Sequence, residues 1–439
     1  MTLVYILMVV IFLIVFILIR TRNKMYGYNQ KKDYCYHFRN PIIYDLKNIN
    51  LESYKSSQTI ILKIDIKSNF ISKLFNPYIK IVSNQKEEDT FFEYGAKGIR
   101  YIDISSFCGM RNIQLFTKNC KIISNSVEIF DFENLNIEDK KVLIIAPHAD
   151  DAEISSFGLY SEAKESYIVT VTAGEYDCKY CDIEENKKEQ AKLKGNLRVF
   201  NALTTNLLGK VEYQNSIVLG YFNETIKDMY ENKDKIFSSK TAGVDDIDYF
   251  RRVKHSKIKT NPQSVAKWDS LVNDFKNIIN SINPDLILTI HPQIDSNLDH
   301  QYITLALLEA MEYLDCDNIK LLTFTNHLTQ NEIYPYGKIF STTALVPKFN
   351  EPFIFDKVYS HQLSKNKQIY KYYALETMHD LRDATIQIGF KKAFLFAFRQ
   401  LRRYINGKEK SYYRRSVRTN EIFYVTNYKE LKKAYKDMK

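Results

Sequence analysis

Cysteine is scarce in this chain, with six scattered over 439 residues. That excludes a disulfide-framed scaffold and is compatible with a reducing compartment. Cys178 and Cys181 have the spacing of a zinc knuckle or a thiol redox pair. No second CxxC follows at zinc-ribbon distance, a lone spacing match is weak, and the preferred reading is two surface-loop thiols. A recognisable nucleic-acid module is also missing, which disfavours DNA or RNA as the partner of a basic chain. No charged leader precedes the long apolar run at the amino end, and no small-x-small cleavage site follows it. Those two absences argue for retention of the run rather than its removal as a signal peptide.

What is present begins with that run, Leu3 to Ile19. At about 1.5 Å per residue it reaches roughly 26 Å, enough for a thin or locally adjusted bilayer. Arg20, Arg22, Lys24, Lys31 and Lys32 follow with no acid among them. The expectation is a single transmembrane helix over residues 1–24, with the body of the protein in the cytoplasm.

The net charge of +10 is local: residues 391–418 hold ten Lys or Arg against Glu409, a net +9, and residues 20–32 add +5, leaving −4 elsewhere. Both basic stretches suit an anionic membrane surface. Phe394, Phe398, Leu401 and Ile405 recur at helical spacing within the second. Such a basic amphipathic helix lies on a bilayer or packs its stripe on the core, since the same period serves both.

Between these ends, residues 25–50 read as a polar linker. Short β-branched runs at 60–66, 78–82, 113–116 and 127–130 predict a small all-β, sandwich-like domain over 51–137. From residue 138 to about 390 the pattern becomes strand and helix in alternation. Strands are expected at 142–146, 167–172, 216–221, 285–290 and 320–325, with helices at 184–208 and 265–282. This is a Rossmann-like, doubly wound, mostly parallel α/β layout. Residues 224–263 are polar and read as an insertion, either a lid loop or a disordered one.

Two strand ends carry chemistry. After Val142-Leu143-Ile144-Ile145 comes Ala146-Pro147-His148-Ala149-Asp150-Asp151-Ala152-Glu153. If the chain turns into a helix there, His148 and Asp151, three apart, share a face, and Asp150 can aim at a metal-bound water. The alternative is a helix-capping cluster in which the aspartates satisfy backbone donors. After the strand ending at Ile290 comes His291-Pro292-Gln293-Ile294-Asp295-Ser296-Asn297-Leu298-Asp299-His300. His300 would complete a set of two histidines and one carboxylate, leaving a fourth position for water as catalytic zinc requires. With that set complete, Glu153 and Glu175 are expected to support it rather than ligate.

These residues resemble the PIG-L/LmbE-like zinc-dependent N-acetylglucosaminyl de-N-acetylase family over about residues 139–330, and more loosely to 425. The family's Pro-His-x-Asp-Asp-x-Glu stands here as Pro147 to Glu153, and its His-Pro-Asp-His as Asn297-Leu298-Asp299-His300. The resemblance implies that His148, Asp151 and His300 bind Zn2+ and that Asp150 is the general base. It also implies that Arg198 faces the substrate, with Asn223 near the place of a substrate-binding aspartate. Thr172-Ala173-Gly174-Glu175 resembles the family's Thr-x-Gly-Glu. The departure is Asn297, which stands for a histidine that stabilises the oxyanion or protonates the leaving amine. Asparagine donates a hydrogen bond but delivers no proton at neutral pH. Asp150, after acting as base, or His291 from the same loop would then supply the proton.

The resulting expectation is a membrane-tethered zinc amidohydrolase that removes acetyl from an N-acetylhexosamine on a lipid-linked or cell-envelope glycan. The alternatives are a glycan-binding or assembly protein that kept the fold and lost the chemistry, and a thiol oxidoreductase using Cys178 and Cys181.

Overall fold

The alternation at 60–66 extends both ways into an eleven-residue strand, the spine of the first of two units. The structure, a computed structural model, describes residues 2–23, 25–84, 86–176, 186–255, 257–258, 265–329, 331, 333–349, 353–378, 381, 389–406 and 413–437. Cys178 and Cys181 lie outside the described residues. The first unit comprises residues 1–134, 328–351 and 418–420; the second comprises 135–327, 352–417 and 421–439.

In the first unit the strands are β1 (Ile42–Asp45), β2 (Gln58–Ser68), β3 (Tyr78–Val82), β4 (Glu87–Phe91), β5 (Lys97–Asp103), β6 (Gln114–Lys118), β7 (Cys120–Ile122) and β8 (Ser126–Glu133). They form one sheet in the order β1-β8-β2-β5, with β7 on β2, and a second in the order β4-β3-β6. Alternate residues Ile60, Leu62, Ile64 and Ile66 of β2 share a core with Ile79 and Ile81 of β3 and with Val127 and Ile129 of β8. Each such side chain, once buried, contributes roughly 1.5–3 kcal/mol. Residues 25–50 are not a linker. β1 pairs antiparallel with β8, and Tyr26, Tyr34, Tyr36 and Ile49 are buried. The segment looks polar because its burial is carried by tyrosines, which bring a large apolar ring with a polar tip.

The apolar run at the amino end forms helix α1 (Thr2–Asn23). Its side chains from Val4 to Ile14 are exposed, and Arg22 donates to the carbonyl of Leu74 and lies over the Tyr94 ring. Among the described residues no helix is long and apolar enough to cross a membrane. The transmembrane reading of residues 1–24 is thus not supported.

The second unit is built on β9 (Lys141–Ala146), β10 (Glu165–Thr172), β11 (Ser216–Tyr221), β12 (Leu286–Ile290), β13 (Lys320–Phe324), β14 (Lys357–Gln362) and β15 (Asn420–Thr426). Their order is β11-β10-β9-β12-β13-β15-β14. The first five strands run parallel, and β15 joins β13 antiparallel. Helices of this unit are α2 (Asp151–Glu162), α3 (Lys187–Thr204), α4 (Ile226–Glu231), α5 (Trp268–Ile282), α6 (Leu298–Tyr313), α7 (Lys365–Glu376), α8 (Phe390–Asn406) and α9 (Tyr428–Asp437). Leu143 and Ile145 pack into one core with α3, α5 and α6, whereas Val142, Ile144 and Ala146 pack into another with α2 and α7. Helices therefore cover both faces, which is why the strands read as continuous apolar runs.

Two boundaries differ from expectation. Among the described residues of 224–263 the lid reading is not met: Ile226, Met229, Ala242, Val244, Ile247, Phe250 and Ile258 are core residues of this unit. Apart from Ile226 and Met229, three apart on the short helix α4, they are spaced singly and show no sustained period. Residues 391–439, expected from their pattern as a basic amphipathic C-terminal segment, also supply β15, which pairs with β13. Within this segment, α8 exposes Phe390, Phe394, Phe398 and Leu401, so the stripe is not packed on the core.

Candidate functional site

β9 and β12 are neighbours, yet the chain leaves β9 toward β10 and β11 on one side and continues from β12 to β13 on the other. The carboxyl ends of β9 and β12 thus flank a topological switch point, where parallel sheets open a crevice. His148 follows β9, and His300 lies in the first turn of α6 after β12.

Three atoms meet there. His148 Nδ1 lies 3.1 Å from His300 Nε2 and 3.4 Å from Asp151 Oδ2, and His300 Nε2 lies 3.3 Å from the same oxygen. Ligands at the roughly 2.0–2.1 Å bonds of tetrahedral zinc stand about 3.3 Å apart, so this triangle has the spacing of three ligands on one metal ion. His148, Asp151 and His300 are the metal-capable group found among the described residues.

The electrostatics agree with that use. Burial opposes charge on His148, but hydrogen bonds to Asp151 and Asp299 outweigh it and lift the imidazole to about 9. His300 is raised too, by Asp151 and Asp295 against its burial. Asp151 is held well below the usual carboxylate range, because His300 and His148 override a burial that pushes the other way. Two imidazoles thus meet on one buried carboxylate, a donor set whose binding of a cation is coupled to proton release.

The loop between β9 and α2 is held for this purpose. Asp150 has φ 141°, ψ −28° and makes no side-chain cap bond. A non-glycine residue there is strained. The capping-cluster reading fails for it, since its carboxylate is kept off the helix end. Asp151 Oδ2 accepts the His148 amide at 2.8 Å, and Thr172 pins Pro147 O through both its amide and its hydroxyl. Gly174, at φ +65°, gives passage to Arg198: a Cβ there would stand 2.3 Å from Arg198 Nε. α2 breaks at Ser156, and the amides of Gly158 and Leu159 donate to Glu421, whose charge is met by buried Lys371 at 2.8 Å.

The other expected site residues make the following contacts. Arg198 Nη2 donates to Ala149 O at 3.0 Å and lies 3.4 Å from Asp150 Oδ1. It supports Asp150, a role the motif position did not reveal. Asn297 caps α6, its Oδ1 accepting from the amides of Asp299 at 2.9 Å and His300 at 3.4 Å. Its Nδ2 stays outside the cap. His291 is not brought to the triangle. Its Nε2 donates to Ile354 O at 2.9 Å, its Nδ1 accepts from Gln293, and Phe353 and Tyr424 pack on the ring. Burial pushes it down to about 4. With both nitrogens committed in the neutral form, it has no proton to deliver.

The amide of Asn223 donates to Glu175, which also takes the Ser239 hydroxyl at 2.8 Å. The next amide, of Glu224, donates to Asp299 at 2.7 Å, and Asp299 stands 3.5 Å from His148 Nε2. Glu153 is buried, takes the Tyr160 hydroxyl, and is raised to about 7 by burial and then by the Asp150 charge. Sequence reasoning passed over Asp295, Asp299, Asn326 and His327. Asp295 and Asp299 stand in the second motif, whereas Asn326 and His327 follow β13 with no motif around them.

Residues 143–311 match the family profile of PIG-L: GlcNAc-PI de-N-acetylase. No curated protein matches the chain. Similar solved structures include the zinc-inhibited form of teicoplanin deacetylase Orf2, at 13% identity over 65% of this chain and 97% of that one, TM-score 0.34. An N,N'-diacetylchitobiose deacetylase from Pyrococcus horikoshii is 13% identical over 66% and 86%, TM-score 0.34. The A40926 pseudoaglycone deacetylase Dbv21 is 15% identical over 65% and 97%, TM-score 0.34. Residues 143–311 of this chain form a PIG-L family domain, that of a hydrolytic de-N-acetylase, and both histidine–aspartate loops lie within it.

Proposed function

We propose that this chain is a zinc-dependent deacetylase that hydrolyses the N-acetyl group of an N-acetylhexosamine carried on a lipid-linked or cell-envelope glycan. The observation that carries the reading is the triangle of His148, Asp151 and His300 beside the strained Asp150. A zinc ion held there would acidify a water and polarise the acetamide carbonyl. Asp150 is the residue that takes the proton of the attacking water, and Arg198 keeps its carboxylate aimed. Asn297 Nδ2 is the donor on the α6 side for the carbonyl oxygen as it gains charge. Asp150, protonated by the first step, returns the proton to the leaving nitrogen. Acetate and a free amine result.

The expected test is acetate release from a panel of N-acetylhexosamine glycolipids, with metal content measured alongside. Asp150→Asn should lower turnover by a factor on the order of 10²–10⁴ with one metal still bound. Turnover close to wild type in that variant would remove Asp150 as the base.

The lipid-linked carrier draws support from two apolar surfaces, α1 and the exposed stripe of α8 among its basic residues. On this reading α1 holds the protein at a membrane with its body cytoplasmic, and α8 rests on anionic headgroups. Flotation with phosphatidylserine vesicles checks it: deletion of residues 1–24 should leave weak, salt-sensitive binding, and Lys391→Glu with Lys392→Glu should abolish the remainder. Unaltered binding in that double variant would remove α8 from the membrane contact.

A further inference from the structure

Several buried acids surround the metal-ligand triangle, and Asp295 reaches it by two routes. It is wholly buried in the loop between β12 and α6. Its Oδ1 accepts the Asn297 amide at 3.0 Å and stands 3.1 Å from His300 Nδ1. That nitrogen is buried with the ring, and the Asp295 carboxylate is the charged group beside it. Its Oδ2 accepts from Thr325 Oγ1 at 3.2 Å and from the amides of Asn326 and His327, each at 3.0 Å. Asn326, placed by that contact, donates Nδ2 to Asp151 Oδ1 at 2.7 Å.

We infer that Asp295 is the positioning residue of the metal centre, orienting His300 directly and Asp151 through Asn326. An imidazole turns about its Cβ–Cγ bond and exchanges tautomers unless its second nitrogen is held. A carboxylate at Nδ1 keeps the proton there, leaves the Nε2 lone pair for the metal and raises its basicity. On the other side, Asn326 occupies Oδ1 of Asp151, so Oδ2 is the oxygen left at the triangle. One acid thereby aligns ligands that are 149 positions apart in the chain, Asp151 and His300. Its fixed charge also offsets the cation that the ligands would share.

The inference rests on the metal-site reading, and the experiment separates the two. Zinc affinity of the full chain is measured by chelator competition, together with the visible spectrum of the cobalt-loaded protein. Wild type, Asp295→Asn and Asn326→Ala are compared, with folding of each checked by circular dichroism. Asp295→Asn should bind zinc about 10–100-fold more weakly and displace the cobalt bands, and Asn326→Ala should lose about tenfold. A folded Asp295→Asn with wild-type affinity and an unshifted cobalt spectrum overturns the inference. If Asp295→Asn does not fold, Asn326→Ala decides: a tenfold loss supports the route through Asp151, and unchanged affinity overturns it. Failure of wild type to bind either metal overturns the site reading itself.

Discussion

Each unit buries charge, and the two do so in opposite ways. In the first, Glu93 and Arg100 are almost fully buried and paired at 3.1 Å. Arg100 spends its other donors on the carbonyls of Lys32, Ile99 and Gln30, while Glu93 also takes the hydroxyls of Tyr28 and Tyr34. Donors and acceptors match, and the set is closed. In the second, two imidazole nitrogens face each other at 3.1 Å over one carboxylate, and a neighbouring aspartate is strained. A network whose donors and acceptors pair off is a structural element, whereas nitrogen and carboxylate lone pairs that converge on one point are a cation-binding arrangement. The contrast separates a core charge from a functional one where burial alone does not.

The most severe test of this contrast opens the closed network. Arg100→Met leaves Glu93 buried and unpaired and should cost about 3–5 kcal/mol in stability by denaturant unfolding, with zinc affinity unchanged. Stability close to wild type in Arg100→Met would mean that the Glu93–Arg100 network is not a structural element of the first unit.

The next largest effect concerns His291. Its imidazole titrates at about 4 in the folded protein, against about 6.5 in an unfolded chain. Between those values the unfolded chain binds a proton that the native protein does not, so stability falls as pH drops from about 6.5 to about 4. The full contribution is about 3 kcal/mol, present above pH 6.5. The difference in unfolding free energy between wild type and His291→Asn, followed over that range, should shrink accordingly. A flat difference would mean that His291 is not held neutral.

The smallest effect tests Asn297 as a helix cap. Asn297→Ala should cost about 1 kcal/mol, and Asn297→Asp, which caps equally well, should restore it. Turnover separates the second role: Asn297→Asp keeps the cap but loses the Nδ2 donor, and should remain slow. Equal turnover in Asn297→Asp and wild type would leave Asn297 a cap alone.

Much of this architecture was legible in order. Strand positions in the α/β unit agree with the apolar runs to within two residues, because a parallel sheet covered on both faces writes burial as an unbroken run. His148, Asp151 and His300 were legible because two strand ends each carried histidine and aspartate. Residues 224–263 were misread because their buried side chains contact the core mostly singly, without a sustained period. β14 and β15 were missed because they join the sheet through pairings far apart in sequence. His291 was misassigned because a histidine at a strand end looks alike whether it faces a metal or a carbonyl.

Local periodicity and donor chemistry were enough to set the element types, the doubly wound order and the residue types able to hold a metal. Which of those residues meet is a matter of tertiary packing. Strand order brings the ends of β9 and β12 together, the turn after β13 delivers Asn326 to Asp151, and Asp295 links that turn to His300. Such contacts are set by sheet pairing across more than a hundred residues, and local sequence carries no signal of them.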